Sequence, residues 1–300
     1  MNYPNAPIRM ILPYAAGGPG ELVANLIGQK LKARWGQPLV TDVDPQAGLK
    51  NAARAAPDGH TLVLVSGSYY INPAIYRKMP YDPVGDFAPV SLLASIFNLL
   101  VVHPSVPART LGELVAYAKS KPGQLKYASS GYGSAPHLAG ELFKIMTGTD
   151  LGHVEYKGHV AGAKALAEGR EVHMMFDAIS TALPHVKAGE VRALAVTTPQ
   201  RAPVLPEVPT VAESGLIGFD VSPALGVLAP IATPPDIINK LSLEFGAILH
   251  LPDVSSAVQA AGMLPMGSTP EEFSSYRSAA FERWKKLVAL AHINIQDAPR

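Results

Sequence analysis

The sequence predicts an α/β protein made of two mainly parallel sheets, each flanked by helices. Three observations carry this prediction. Short apolar runs alternate with helical patterns at the pace of βα units, which implies parallel sheets covered on both faces. The alternation occurs twice, before and after about residue 103. A length of 300 residues, at about 150 residues per domain, allows two such units.

The elements follow in order. Residues 8–12 form an apolar strand stopped by Pro13. The loop Tyr14-Ala15-Ala16-Gly17-Gly18-Pro19-Gly20 leads into a helix that starts near Glu21 and stops just before Gly36. Strands over 38–43 and 61–65 flank a short helix over 51–56. The third strand is apolar throughout its centre, as a buried parallel strand is. Residues 69–90, rich in Tyr and Pro, read as irregular. A strand over 99–102 precedes a helix to about Ser120, opened by Thr110 and Glu113 as a capping box. Strands over 125–128, 153–156, 172–176 and 191–196 alternate with helices over 135–147, 161–168 and 181–188. A strand over 226–229 is followed by three helices, from Pro234, Val254 and Pro270. Thr269 and Glu272 cap the last, with Pro270 at its first position.

Composition narrows the function. Lys and Arg number 25 against 24 Asp and Glu, which argues against a nucleic-acid binder with its basic surface. Hydrophobic residues make up 48% of the chain, ample for a large core. The chain has no cysteine, which excludes disulfides, thiolate nucleophiles, zinc ribbons and iron–sulfur clusters. No run of about 18 apolar residues is present, so no membrane insertion is expected. Residues 1–4 lack the basic start and apolar stretch of a leader, so the chain reads as cytosolic or as processed.

Two glycine-rich turns stand out, Tyr14 to Gly20 and Ser129 to Ser134. Each follows a strand and precedes a helix. Glycine lets the backbone approach a ligand, and the first helical amides favour an anion. The same residues also suit ordinary βα turns. Gly131-Tyr132-Gly133-Ser134-Ala135-Pro136 begins as G-x-G-x-x-G but has proline in place of the third glycine, against a dinucleotide site. Walker A, G-x-S-x-G and H-E-x-x-H patterns are absent. His137 and Glu141 share one helix face without a third metal ligand, and a capped helix start with a polar contact to the loop explains His137 better. Lys157-Gly158, Asp177 and Ser66-Gly67-Ser68 all sit at strand ends, where open α/β sheets bind ligands. Solvation of the lysine and capping by Asp177 are their structural alternatives.

Several segments resemble the Bug-type solute-binding proteins, the extracytoplasmic receptors of tripartite tricarboxylate transporters. They include Pro13-Tyr14-Ala15-Ala16-Gly17-Gly18-Pro19, Ala56-Pro57-Asp58-Gly59-His60-Thr61-Leu62 and Pro136-His137-Leu138-Ala139-Gly140-Glu141-Leu142-Phe143. Tyr156-Lys157-Gly158, Met175-Phe176-Asp177 and Pro209-Thr210-Val211-Ala212-Glu213-Ser214-Gly215 continue the likeness, in order, over nearly the whole chain.

The resemblance implies a two-lobed periplasmic-binding-protein fold of type II, a Venus flytrap. Lobe I takes residues 1–102 and 225–300, lobe II residues 103–224, and a ligand cleft lies between them. It implies capture of a small mono- or dicarboxylate, held by amides, hydroxyls and water, for delivery to a membrane permease. An aromatic carboxylate flanked by Tyr14 and Tyr69 is one possible ligand. The implied protein is a periplasmic monomer and not an enzyme, with no cofactor, metal or catalytic residue. Expected ligand residues are Tyr14, Ala15, Ala16, Gly17, Gly18, Pro19 and Gly20, then Ser66, Gly67 and Ser68. In lobe II they are Ser130, Gly131, Gly133, Ser134, Ala135, His137, Tyr156, Lys157, Gly158, Phe176, Asp177 and Ala178. A sensor that passes occupancy to a signalling partner, and an enzyme using His137 and Asp177, are the alternatives. Two departures from the family pattern are notable. Gly20 and Glu21 replace a hydroxyl or small residue followed by Asp, and residues 44–51 are shorter by about four residues, roughly one helical turn. That loop is expected to border the cleft.

Overall fold

The computed structural model describes residues 3–14 and 18–295. Ala15, Ala16 and Gly17 of the first glycine-rich turn lie outside the described residues.

Apolar strands β1 (Ile8–Leu12), β2 (Leu39–Val43) and β3 (Thr61–Val65) begin the first sheet. They are joined by α1 (Pro19–Trp35) and α2 (Gly48–Ala53). Proline in the first turn of α1 gives up an amide that has no helical acceptor, and Gly36 closes the helix in the left-handed conformation at φ 74°. α3 (Gly67–Ile75) leads to the long strand β4 (Phe87–Ile96). One residue later the chain enters the second sheet as β5 (Asn98–Val102).

That sheet is built from β5, β6 (Lys126–Ser129), β7 (Gly152–Glu155), β8 (Met174–Ala178) and β9 (Arg192–Val196). Helices α4 (Leu111–Ser120), α5 (Ala135–Thr147), α6 (His159–Ala167) and α7 (Ile179–Lys187) connect its strands. The chain returns through β10 (Ala224–Pro230) and finishes with α8 (Pro235–Leu249), α9 (Pro252–Ala260), β11 (Met263–Pro265) and α10 (Pro270–Leu290).

The first sheet has the order β11-β4-β10-β3-β1-β2 and the second β7-β6-β8-β5-β9. Both are mixed rather than mainly parallel. β1 pairs in parallel with β2 and β3, whereas β10 runs antiparallel to β3 and β4. β6 is parallel to β7 and β8, whereas β5 runs antiparallel to β8 and β9. The crossings explain the difference. Strands such as β3 and β8 end at the junction between the sheets, but β5 and β10 start there, so each runs against its neighbours.

The crossings also shift the expected lobe boundary. Residues 98–102 pair inside the second sheet, so the first crossing is at Phe97 and not near 102. The return crossing is tied by Ile96 N–H donating to the Pro223 carbonyl at 2.9 Å. The Asn98 side chain donates to the Val221 carbonyl at 3.2 Å.

Three segments read as irregular or unassigned are regular: α3, β4 and the short β11, which pairs with β4. α3 carries Pro73 inside it, and Tyr69, Tyr70, Ile71 and Ile75 are buried on several sides, which obscures amphipathic periodicity. β4 carries Pro89, which normally argues against a central strand. Here the register against β10 skips Val90, so the proline sits at a bulge. α2 begins three residues earlier than expected.

Three apolar cores hold the molecule. One lies between α1, α8 and the first sheet, around Met10, Ile27, Leu64 and Phe245. Another lies on the outer face of the second sheet, around Leu99, Met175 and Ile179. The third is continuous between the lobes, from Val63 and Phe87 through Phe273 and Trp284 to Phe143 and Phe176. α10 therefore belongs to the packing of both units.

Candidate ligand cleft

Strands that end at the junction leave their following loops and helix starts there, the usual place for a ligand in open α/β sheets. A cavity of about 610 Å³ occupies it. The first lobe lines it with Tyr14, Gly18, Pro19 and Gly20 and with Ser66, Gly67 and Ser68. The second lobe supplies Ser130, Ser134, Ala135, Lys157, Gly158 and Ala178. All of these were candidates on sequence.

Sequence reasoning missed Ile96, Asn98, Pro223 and Leu225, which floor the cleft at the crossings. Only the sheet order brings them there. Pro136, inside the candidate stretch from Ser130 to His137, also lines it, whereas His159, Val160, Ser180 and Thr181 were missed. These four lie in the first turns of α6 and α7, so their positions directly after the candidate turns were a usable signal.

Six candidates do not line the cavity. Gly131 and Gly133 shape the turn, where Gly133 N–H donates to His137 Nδ1 at 3.0 Å. His137 is buried and stacks on His153 with ring centroids 4.2 Å apart. Burial first, and then the His153 ring, push its pKa down to about 4. The Tyr156 hydroxyl points away to Glu171 at 3.2 Å. Phe176 is fully buried and stacks on Phe219. Asp177 lies beneath the cleft wall with 1% of its surface exposed. The Tyr69 ring is also buried, with its hydroxyl donating to the Pro83 carbonyl, so it flanks no ligand. Residues 44–51 contribute nothing to the lining among the described residues; the Asp44 carboxylate instead accepts from Ala47 N–H at 2.9 Å, just before α2.

The pairing of Asp177 differs from the one that an enzyme reading requires. Its Oδ1 lies 2.6 Å from His159 Nδ1 and accepts from Ala178 N–H at 2.9 Å and Thr181 Oγ1 at 3.2 Å. His137 is engaged with Gly133, so His137 and Asp177 form no catalytic pair. Among the described residues no three His, Asp or Glu side chains cluster as a metal site.

The electrostatics of the cleft come mainly from backbone. The N-termini of α1, α3, α5, α6 and α7 all reach it through Pro19, Gly67, Ala135, His159 and Ser180. Each terminus carries a partial positive charge. Among the described residues only α5 of these five has its N-cap side chain engaged, Ser134 accepting from His137 N–H; the caps of α1, α3, α6 and α7 make no such bond. The amides of Gly67, Ser68, Ala135 and Val160 donate to no protein acceptor among the described residues. Such a cavity suits an anion held by main-chain N–H groups, with hydroxyls of Ser66, Ser68, Ser130 and Ser180 nearby. Ile96, Val160, Pro223 and Leu225 give it an apolar wall.

Gly20 accounts for its own departure from the family pattern. A β-carbon there would meet the Tyr14 ring, with Cζ at 2.9 Å. The tyrosine fills the space that a side chain at position 20 would use.

Comparison with known proteins agrees with this geometry. The model of the tripartite tricarboxylate transporter family receptor matches residues 23–293. Protein BugT of Bordetella pertussis is 32% identical over 292 residues, covering 95% of this chain and 89% of BugT. The structure of Rpa4515 from R. palustris with adipate is 34% identical, with a TM-score of 0.87, covering 97% of this chain and 99% of that one. MatC from Rhodopseudomonas palustris with bound malate is 32% identical, with a TM-score of 0.81, covering 95% and 100%.

Proposed function

The chain belongs to the tripartite tricarboxylate transporter receptor family, and from that premise we propose that it captures a small carboxylate between its lobes for delivery to a membrane permease. The family and its structural neighbours are solute-binding proteins. The observation that carries the proposal is the convergence of five helix N-termini, four without a capping side chain, on one interlobe cavity. A buried carboxylate loses its hydration, and amide and hydroxyl donors already aimed at the site offset that cost. The ligand residues are the described cavity-lining members of the two glycine-rich turns, with Ser66 to Ser68, Lys157, Gly158 and Ala178. Closure of residues 3–97 and 222–295 on the intervening segment traps the ligand. The place of action is the periplasm, and the working unit is a monomer.

The test is a thermal-shift screen of mono- and dicarboxylates, aromatic acids and amino acids, followed by calorimetry and product analysis. A ligand that binds only the native state raises stability by about 2.7 kcal/mol at a hundredfold excess over Kd. One carboxylate bound per chain, without product, supports the receptor. Turnover of the bound acid, or binding confined to compounds without a carboxylate, overturns it.

A further inference from the structure

The last helix joins the two lobes, and its end reaches the second glycine-rich turn. The first half of α10 belongs to lobe I. Phe273 packs where Gly226 leaves room, and Arg277, 5% exposed, donates to the Phe87 carbonyl at 3.1 Å. The middle of the helix grips the return crossing: Arg283 pairs with Asp220 at 2.6 Å, and the Tyr276 hydroxyl donates to the Ser222 carbonyl at 3.3 Å. A helix anchored at these points carries its C-terminus to a set place relative to lobe I.

That C-terminus is shaped to reach across. His292 N–H donates to the Ala289 carbonyl at 3.2 Å and Ile293 N–H to the Val288 carbonyl at 3.1 Å, the paired bonds of a left-handed helix cap. Glycine usually takes the left-handed position of such a cap. Here His292 takes it, at φ 52°, the one non-glycine residue with positive φ among the described residues. A β-carbon makes that conformation costly, so contacts beyond the turn must hold it. Two are present: Ile293 packs against the core shared by the lobes, and Asn294 N–H donates to the Tyr132 hydroxyl at 3.1 Å.

Tyr132 lies in the turn whose Ser130, Ser134 and Ala135 line the cavity. Lobe I meets the same turn at two further points. A β-carbon on Gly133 would run into Ile75 Cδ1 of α3, and one on Gly67 would stand 3.7 Å from the Ala135 β-carbon. Rotation about the crossings moves this turn relative to α3 and to the end of α10. The contacts therefore resist that motion, and the bond to Tyr132 is the one made by a segment under backbone strain.

We propose that residues 291–294 form a strap between the lobes, with Tyr132 as its catch, and that the strap sets how far the empty cleft opens. It acts on the angle between the lobes and so holds for any solute that the cleft takes.

The experiment measures that angle directly. The chain has no cysteine, so Lys50→Cys on α2 and Lys164→Cys on α6, both at exposed positions, each carry a single nitroxide label. Double electron–electron resonance on solute-free, dialysed protein reads the separation of the lobes. In this background Tyr132→Phe removes the hydroxyl and keeps the ring, and Asn294→Pro removes the amide. Each is expected to raise the ratio of long to short separations about two- to tenfold, the range of one net hydrogen bond. The double variant goes no further than either single one. His292→Gly relieves the left-handed strain and leaves the ratio unchanged or lowers it. Melting curves confirm that the variants are folded. In the unsubstituted protein the Asn294 amide exchanges its hydrogen several-fold more slowly than in an unstructured chain. Coincident distributions in wild type and both single variants overturn the inference. So do single-variant effects that add, a His292→Gly variant that raises the ratio, or an Asn294 amide that exchanges at the unstructured rate. Each of these outcomes leaves the receptor reading standing.

Discussion

The Tyr14 side chain stands where a β-carbon on Gly20 would project, with its Cζ 2.9 Å from that point. Among the described residues the buried Tyr14 hydroxyl has no partner, and burial with the nearby Glu21 charge pushes its pKa upward. Gly20→Ala therefore forces the ring out of place. We expect a net loss of about 1–3 kcal/mol from overpacking, despite the better helix propensity of alanine, worth about 1 kcal/mol. Tyr14→Phe alone removes an unsatisfied hydroxyl and is expected to stabilise the unliganded protein by about 1 kcal/mol. Urea unfolding of both single variants and the double variant checks this. Additive effects would show that the two residues do not share the space.

Asn98 ties the two crossings together. It is buried, donates to the Val221 carbonyl at 3.2 Å, and its own carbonyl accepts from Thr197 N–H at 2.9 Å. Thr197 Oγ1 donates to the same Val221 carbonyl at 3.3 Å. Asn98→Ala leaves one donor on that carbonyl and opens a small cavity at the hinge. The expected cost is about 1–2 kcal/mol in urea unfolding, with faster ligand release in stopped-flow measurements because the crossings are less constrained. Unchanged stability and unchanged release would show that the amide does not set the hinge.

Gly226 lets α10 lie against the first sheet. A β-carbon there would meet the Phe273 ring, with Cε1 at 2.8 Å. Gly226→Ala is expected to destabilise by about 1–3 kcal/mol through overpacking. Phe273→Leu should relieve part of that cost when the two changes are combined. Denaturation midpoints of the three variants test the pairing.

What the residues disclosed before the structure, and what they did not, follows the range of the forces involved. The start of α10 was legible because its signal is local: Thr269 accepts from Glu272 N–H at 3.2 Å while Glu272 takes the Thr269 amide at 2.8 Å. The span of α5 was legible for the same reason, from Ser134 before it to Gly148 after it. β4 was hidden because Pro89 breaks the strand pattern, and a bulge made only with distant β10 accommodates it. The contact of His159 with Asp177 was hidden because the two lie 18 residues apart in the chain and meet, at 2.6 Å, only in the fold. His137 drew attention through the motif around it, yet it serves the turn from inside. Local chemistry located the candidate turns, and long-range pairing decided which of their side chains reach the cleft.

The stacked histidines behind the second glycine-rich turn make stability depend on acid. His137 is buried between His153, at 4.2 Å, and Tyr132, at 4.8 Å, while the Tyr127 ring stacks on His153 at 4.9 Å. Its Nδ1 accepts from Gly133 N–H, so protonation there breaks the bond that holds the turn. Burial, then His153, lower the His137 pKa from 6.5 to about 4, with Glu141 opposing; His153 is also lowered by its burial. As the pH falls below 6.5 the unfolded chain takes up the proton first, so protonation favours unfolding. Stability is thus intact above about pH 7, declines from about 6.5 downward, and stops declining on this account below about 4. At roughly 1.4 kcal/mol per unit of pKa difference, the loss between pH 7 and pH 5 is about 2 kcal/mol. Urea unfolding across that range measures it. His137→Asn keeps an acceptor near Gly133 and cannot titrate, so its curve should be flatter by about that amount. A variant curve as steep as wild type would place the acid-sensitive group elsewhere.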